Sequence, residues 1–285
     1  MPHIEAADST ELYYEEAGSG TPILFIHEFA GNHRTWEAQM RFLARSHRCI
    51  AYAARGYPPS QVPKSDAAYS QRQSVDDAIS ILDELGVSQA HIVGHSMGAY
   101  TALHVGISHP ERCLSVAALG CGWGSAPGER QTARGLCEDI AAMFRNEPIE
   151  TAAAKYARFP MRRTFEAKDP RGFAAFEEIL AGLSPAGAAF TMLNVQRDRP
   201  TLRDMEDDLK KFAVPLLVIV GDEDHPCLDG SLFLKQTVPT AALQIVPRAG
   251  HTITMEEPAV VNAALAELFA AVANDTWMRH RASPA

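Results

Sequence analysis

The chain is short of the features that mark a stapled, metal-bound or membrane-embedded protein. Its 285 residues hold five cysteines, Cys49, Cys113, Cys121, Cys137 and Cys227, scattered, odd in number and without a Cys-x-x-Cys pair. That argues against a disulfide framework and a structural zinc, and for reduced, mostly buried thiols. No His-Glu-x-x-His signature is present, and no metal is expected. No Gly-x-x-x-x-Gly-Lys phosphate loop occurs and no Gly-x-Gly-x-x-Gly follows a strand, so no nucleotide cofactor is expected. No apolar run approaches the length of a membrane span. The N-terminus lacks a basic segment followed by an apolar one, so the expectation is a cytoplasmic protein without a signal peptide. Positive charge is in deficit, with 26 Lys and Arg against 35 Asp and Glu for a net charge of −9. With no basic stripe, nucleic acid is not an expected partner and a small molecule is. The Arg279-His280-Arg281 tail is too short to read as a binding arm. No internal repeat or low-complexity tract is evident, and no coiled-coil pattern marks a subunit interface.

What is present suits a soluble enzyme. An apolar fraction of 46% and a charged fraction of 21% are ordinary for globular chains. The length allows one large domain with an insertion. Strand-like runs at Leu12–Glu16, Ile23–Ile26, Cys49–Ala53, His91–His95, Leu114–Leu119, Val214–Val220 and Leu243–Val246 alternate with helical patterns. Helices are expected over Thr35–Leu43, from Ser74 to Gly86, over Ala99–Ile107, and from Pro258 with Val261, Leu265, Leu268 and Val272 inward. Trp36, Met40 and Leu43 share one helical face and read as core. Such alternation predicts a mostly parallel sheet with helices on both faces, and ligands at the strand C-terminal edge.

The segment 122–208 departs from this alternation. It carries helix-like stretches at Thr132–Arg145, Ile149–Arg158, Gly172–Leu183 and Pro185–Gln196. We therefore expect a core of residues 1–121 and 209–285 with a helical insertion at 122–208. Phe144, Tyr156, Phe159, Phe165, Phe173, Phe176 and Phe190 either line a pocket or pack the insertion on itself. The Arg158–Arg163 stretch either sets a cation over a site or is solvated surface.

Chemistry concentrates in His91-Ile92-Val93-Gly94-His95-Ser96-Met97-Gly98-Ala99. An apolar run breaks at a Gly-x-Ser-x-Gly and resumes as a helix, the pattern of a nucleophile elbow. The sharp turn strains the serine backbone, and the helix N-terminus behind it favours developing negative charge. Downstream, Val214–Val220 runs into Gly221-Asp222-Glu223-Asp224, which sets three candidate carboxylates at a strand end. Leu243–Val246 leads to Pro247-Arg248-Ala249-Gly250-His251, a histidine in a loop at the same edge. Serine needs a base to take its proton, and histidine, with an ordinary pKa of about 6.5, suits that task.

The order Ser, Asp, His resembles that of the α/β-hydrolase superfamily, in its capped form that includes esterases, lactonases and C–C bond hydrolases. The resemblance spans about Glu11 to Val272. It implies an α/β-hydrolase fold with a mostly parallel eight-stranded sheet and an inserted helical cap. It also implies Ser96 as nucleophile, His251 as base and Asp224 as the orienting acid, with an oxyanion hole formed by the backbone N–H groups of Phe29 and Met97. Epoxide hydrolases and haloalkane dehalogenases of this fold carry Asp as nucleophile, which Ser96 argues against. Most relatives read His-Gly where this chain reads His27-Glu28. Glu28 either contacts substrate, orients water or points outward. Trp123 is expected near the mouth of the site. His27 and His95 are expected to hold loops, and His225 to be a loop residue without a catalytic role.

The function expected is a serine hydrolase cleaving an ester, lactone or similar acyl bond of a small, largely apolar substrate. C–C bond hydrolysis or cofactor-independent oxygenase or lyase chemistry on the same triad is the alternative. A binding protein with weak turnover is the alternative from another class.

Overall fold

A computed structural model describes residues 2–278. The Arg279–Arg281 tail lies outside them. An eight-stranded sheet runs in the order β1-β2-β4-β3-β5-β6-β7-β8. Its strands are β1 (His3–Glu5), β2 (Glu11–Ala17), β3 (Thr21–Ile26), β4 (His47–Tyr52), β5 (Ala90–His95), β6 (Cys113–Leu119), β7 (Leu216–Gly221) and β8 (Ala241–Val246). β1 and β2 pair antiparallel at one edge, and β4, β3, β5, β6, β7 and β8 are parallel. Every residue of β5 and β7 is buried, as strands covered on both faces must be, which is why they read as continuous apolar runs rather than alternations.

Helices cover both faces. On one side Trp36, in the turn just before α1 (Glu37–Leu43), packs with Met40 and Leu43 of α1 and with Val261, Leu265 and Leu268 of the last helix, Pro258–Ala273, against Ile23, Phe25, Val93 and Ile219. On the other, α2 (Gln71–Glu84) and α3 (Met97–Ser108) pack Ile81, Leu82, Tyr100 and Leu103 against Leu24, Ile92 and Val116. α2 starts earlier than its sequence pattern suggests. Ser70 is the cap, accepting from Gln73 N at 3.0 Å, while Ser74 lies inside the helix and donates to Ser70 O.

Between β6 and β7 the chain leaves the sheet for a helical layer, called the cap below. It comprises α4 (Arg130–Asn146), α5 (Ile149–Ala157), α6 (Arg163–Lys168), α7 (Pro170–Ala181) and α8 (Pro185–Phe190), the last continuing as a π-helical turn to Gln196. α6 and strand β1 have no counterpart in the sequence reading, because both are too short to show a period. The cap has its own apolar cluster, built on Phe144, Phe165, Phe173, Phe176 and Leu180. The side chains of Phe29 and Met97, which belong to the sheet edge, are buried in that cluster. No helix among the described residues is long and apolar enough to cross a membrane.

Candidate active site

The elbow is shaped by what cannot fit beside it. A Cβ on Gly94 would lie 2.0 Å from Gly98 O, and one on Gly98 would lie 2.1 Å from Ile26 O. Both positions require glycine, since no side chain tolerates that approach. Ser96 adopts φ 54° and ψ −108°, a region that non-glycine residues enter only when the surroundings force them. Its N–H donates to Leu119 O at 2.7 Å, which ties the turn to the neighbouring strand. Ser96 Oγ therefore stands at the C-terminal edge of the sheet with α3 starting directly behind it.

The acid and base loops lie backbone to backbone at that edge. A Cβ on Gly221 would meet Ala249 O at 2.1 Å. Asp222 Oδ1 accepts from Ala249 N at 3.2 Å, whereas Asp224 is the carboxylate turned toward His251. Asp224 ends this loop and starts α9 (His225–Thr237). Its Oδ2 accepts from His251 Nδ1 at 2.7 Å, and His251 Nε2 accepts from Ser96 Oγ at 2.9 Å. Asp224 and His251 are buried. Of the carboxylates at the strand end, the structure thus brings Asp224 to His251, while Glu223 lines the cavity described below.

His251 is held from three further directions. Its N–H donates to Met161 O in the cap at 2.8 Å, and its carbonyl accepts from His95 Nε2 at 2.7 Å. Gly250 N donates to Glu256 Oε2 at 2.8 Å. Because His95 donates through Nε2, and burial lowers its pKa to about 4, it is a neutral fixture of the loop. His27 is a second fixture. It donates through Nδ1 to Glu28 O at 2.6 Å and accepts from Ala54 N at 2.9 Å, and burial lowers its pKa to about 4 as well. His91 and His95 have the four-residue spacing that suits a metal on a helix, but they lie on a strand, and His91 bonds Ser115 Oγ instead.

Glu28 does not line the cavity. It is 1% exposed, and its Oε2 accepts from Arg162 Nη2 at 2.5 Å. The same oxygen lies 3.8 Å from His251 Nε2, and Oε1 lies 3.7 Å from His95 Nδ1. Burial alone raises the carboxyl, but the Arg162 guanidinium outweighs it and holds Glu28 below the usual range. Arg162 is fully buried, beneath the rings of Tyr156 and Phe176. The substrate contact entertained for Glu28 therefore gives way to a buried ion pair, because the cap supplies the cation that a carboxylate at this depth requires.

A cavity of about 510 Å³ opens over Ser96 and His251. Trp123, Ile140, Tyr156, Phe159, Pro160 and Met161 form apolar walls, and Arg163, Glu223 and His225 stand among the polar groups. Trp123 is thus a wall of the space over Ser96. Of the cap aromatics, Tyr156 and Phe159 reach this space, while Phe144, Phe165, Phe173 and Phe176 pack the cap interior. Met97 follows Ser96 directly, and Phe29 lies in the loop after β3. Met97 opens α3, whose first turn rests on the end of β3 at Ile26 and His27, and their side chains are anchored in the cap cluster.

Sequence reasoning missed Cys227, Met161 and the role of Arg162. Cys227 lies three residues after Asp224 in the first turn of α9, a spacing that returns a side chain to the same face. Its Sγ is 3.8 Å from His251 Nδ1. Asp224, Cys227 and His251 together offer ligand atoms within 4.8 Å of one another. The other cysteines are also buried and free. Nothing local in the sequence marks Met161 or Arg162, whose partners lie about 90 and 134 residues away in the chain.

This fold and edge constellation define the class of α/β-hydrolases. The family model described as the alpha/beta hydrolase fold matches residues 21–258, and the chain belongs to that family. It is 30% identical over 273 residues to a 2-hydroxymuconate semialdehyde hydrolase from Pseudomonas sp. (strain CF600), covering 90% of this chain and 88% of the relative. Among solved structures it is similar to a thermophilic esterase from Thermogutta terrifontis, with a TM-score of 0.84, 25% identity and coverage of 95% and 98%. It also shares its fold with an enol-lactonase from Burkholderia xenovorans LB400, at a TM-score of 0.83, 21% identity and coverage of 94% and 100%.

Proposed function

We propose that this α/β-hydrolase cleaves an ester, lactone or similar acyl bond of a small, largely apolar substrate through an acyl-enzyme on Ser96. One observation carries the reading: the hydrogen bonds from Ser96 to His251 at 2.9 Å and from His251 to Asp224 at 2.7 Å, beneath an apolar-walled cavity.

His251 takes the hydroxyl proton as Ser96 Oγ attacks the carbonyl carbon. Asp224 keeps the ring proton on Nδ1 and balances the imidazolium. The oxyanion is met by the N–H groups of Phe29 and Met97, each worth about 10²–10³ in turnover for such a donor. His251 then returns the proton to the leaving group, and water deprotonated by the same nitrogen releases the acid. Arg162 has a part in this. A lone carboxylate 3.8 Å from His251 Nε2 would oppose a neighbouring oxyanion, and the guanidinium cancels that charge. In this reading residues 1–121 and 209–285 supply the triad and oxyanion hole, and residues 122–208 supply the walls and the counter-charge.

C–C bond hydrolysis on the same triad is the second reading, favoured by the 30% identity to a 2-hydroxymuconate semialdehyde hydrolase. Steady turnover of p-nitrophenyl esters, lactones and vinylogous β-diketones, with products identified by mass, tests both. Ester or lactone turnover lost in Ser96→Ala supports the first reading, and diketone cleavage alone supports the second. Oxygen consumption would overturn both in favour of oxygenase chemistry, and stoichiometric binding without turnover would leave a binding protein.

A further inference from the structure

Cys227 shares the substrate cavity with Ser96 and His251 but takes no part in acyl transfer. It is 1% exposed, and burial pushes its thiol well above the ordinary range, so it carries its proton beside the triad. We infer that Cys227, Asp224 and His251 form an inhibitory site for a thiophilic divalent cation, with Zn²⁺ as the representative, entered through the substrate cavity.

The distances suit such an ion. Ligand atoms of the three residues lie within 4.8 Å of one another, and Sγ is 3.8 Å from Nδ1. In a tetrahedral site with Zn–S of about 2.3 Å and Zn–N of about 2.0 Å, sulfur and nitrogen stand about 3.5 Å apart. Asp224 Oδ2 and His251 Nδ1, now 2.7 Å apart, would open by about 0.5 Å to accept the metal between them. Asp224 Oδ1 is buried and has no hydrogen-bond partner among the described residues, so the carboxylate has an unused acceptor as well. Water would supply the fourth ligand of a tetrahedral site.

The charges and protons balance. The dication meets one thiolate and one carboxylate, leaving a neutral centre, which a buried site favours. Cys227 releases its proton to solvent. The metal takes the Nδ1 lone pair, and the neutral ring carries its one proton on Nε2 instead of Nδ1. That is what disables the enzyme: Nε2 becomes a donor and can no longer accept the Ser96 proton. The consequence for activity rests on the acyl-transfer reading of Ser96, whereas the binding itself does not.

The test uses the whole chain. Co²⁺ titration, followed by thiolate-to-cobalt charge-transfer absorption in the near ultraviolet, reads binding without any turnover. The band is expected in wild type and in Cys121→Ala, which changes another buried thiol, and absent in Cys227→Ala. Zn²⁺ should displace it one for one. The closely isosteric Cys227→Ser guards against an alanine variant that fails to fold. In parallel, saturating Zn²⁺ should slow fluorophosphonate labelling of wild type by about 10²-fold or more, the contribution typical of a general base. EDTA should restore labelling, and Cys227→Ser should be insensitive at the same Zn²⁺ concentration. No band in wild type, a band that survives in folded Cys227→Ala or Cys227→Ser, or metal binding without slower labelling overturns the inference. A wild type that is not labelled even without metal would refute the acyl-transfer reading, and the cobalt band would still decide the site.

Discussion

At the sheet edge, Gly94, Gly98 and Gly221 let backbone meet backbone within distances that no side chain allows. In the cap, by contrast, Phe144, Phe165, Phe173 and Phe176 fill space with rings that many apolar side chains could replace. The edge fixes atoms, and the cap fixes volume. Where the two meet, the cap also turns specific: Met161 O accepts from His251 N, and Arg162 enters to pair with Glu28. Ionisation divides the same way. No histidine occurs between Gly122 and Asp208, so the buried imidazoles belong to the sheet and its loops. The cap thus reaches the His251 loop and Glu28 through Met161 and Arg162, while Ile140, Tyr156 and Phe159 wall the cavity.

The largest effect should come from the edge itself. Ser96→Ala should lower ester turnover by about 10⁴-fold or more, as removal of a triad member typically does, with little change in melting temperature. A residual rate within tenfold of wild type would mean that the edge is not where chemistry happens.

At the junction, Arg162→Met should destabilise the fold by about 3–5 kcal/mol, because it strands the buried Glu28 carboxylate. The double variant Glu28→Gln/Arg162→Met should regain most of that loss in urea titrations. Additive losses in the double variant would show that the two side chains do not act as a pair.

Acid should loosen the edge while the cap has no histidine to titrate. Burial lowers the pKa of His27 and His95 to about 4 and that of His91 to about 3. Their folded values lie below the unfolded value of about 6.5, so the unfolded chain binds more protons between those limits. Stability should be full above about pH 6.5 and fall as pH drops toward 4, by about 1.4 kcal/mol per pH unit for each histidine. Glu28, also held low, adds loss of the same sign at more acid pH. Urea midpoints across pH 4–8 would measure this, and a flat profile would contradict it.

The smallest effect should come from the outer tether. Lys168 of α6 bonds Glu257 at 2.5 Å and approaches Glu256 at 3.1 Å. Lys168→Ala should cost about 1–3 kcal/mol, less than Arg162→Met, because the Glu257 pair is partly solvated while the buried Glu256 loses its cation. A larger loss would mean that the cap is held from its rim and not at Arg162.

The same contrast explains what the sequence made legible. Ser96, Asp224 and His251 could be read because close backbone approach restricts their neighbours to particular letters, so a motif survives in the chain. The parallel strands could be read because burial on both faces leaves continuous apolar runs. The cap helices were visible through their period, but a period does not say which partner a helix faces. Hence Phe144 and Tyr156 looked alike, though one packs the cap interior and the other walls the cavity. Glu28 was conspicuous as a departure, yet its meaning depended on Arg162, distant in sequence and brought close only by the fold. Cys227 was hidden because a lone cysteine has no pattern, and only its helical spacing from Asp224 could have pointed to it.

The most direct measurement of the central claim is intact-mass labelling with a fluorophosphonate, run on wild type and Ser96→Ala. A single adduct on wild type, mapped to Ser96, and none on the variant is expected. Folded wild type that stays unmodified, or an adduct that persists in Ser96→Ala, would contradict it.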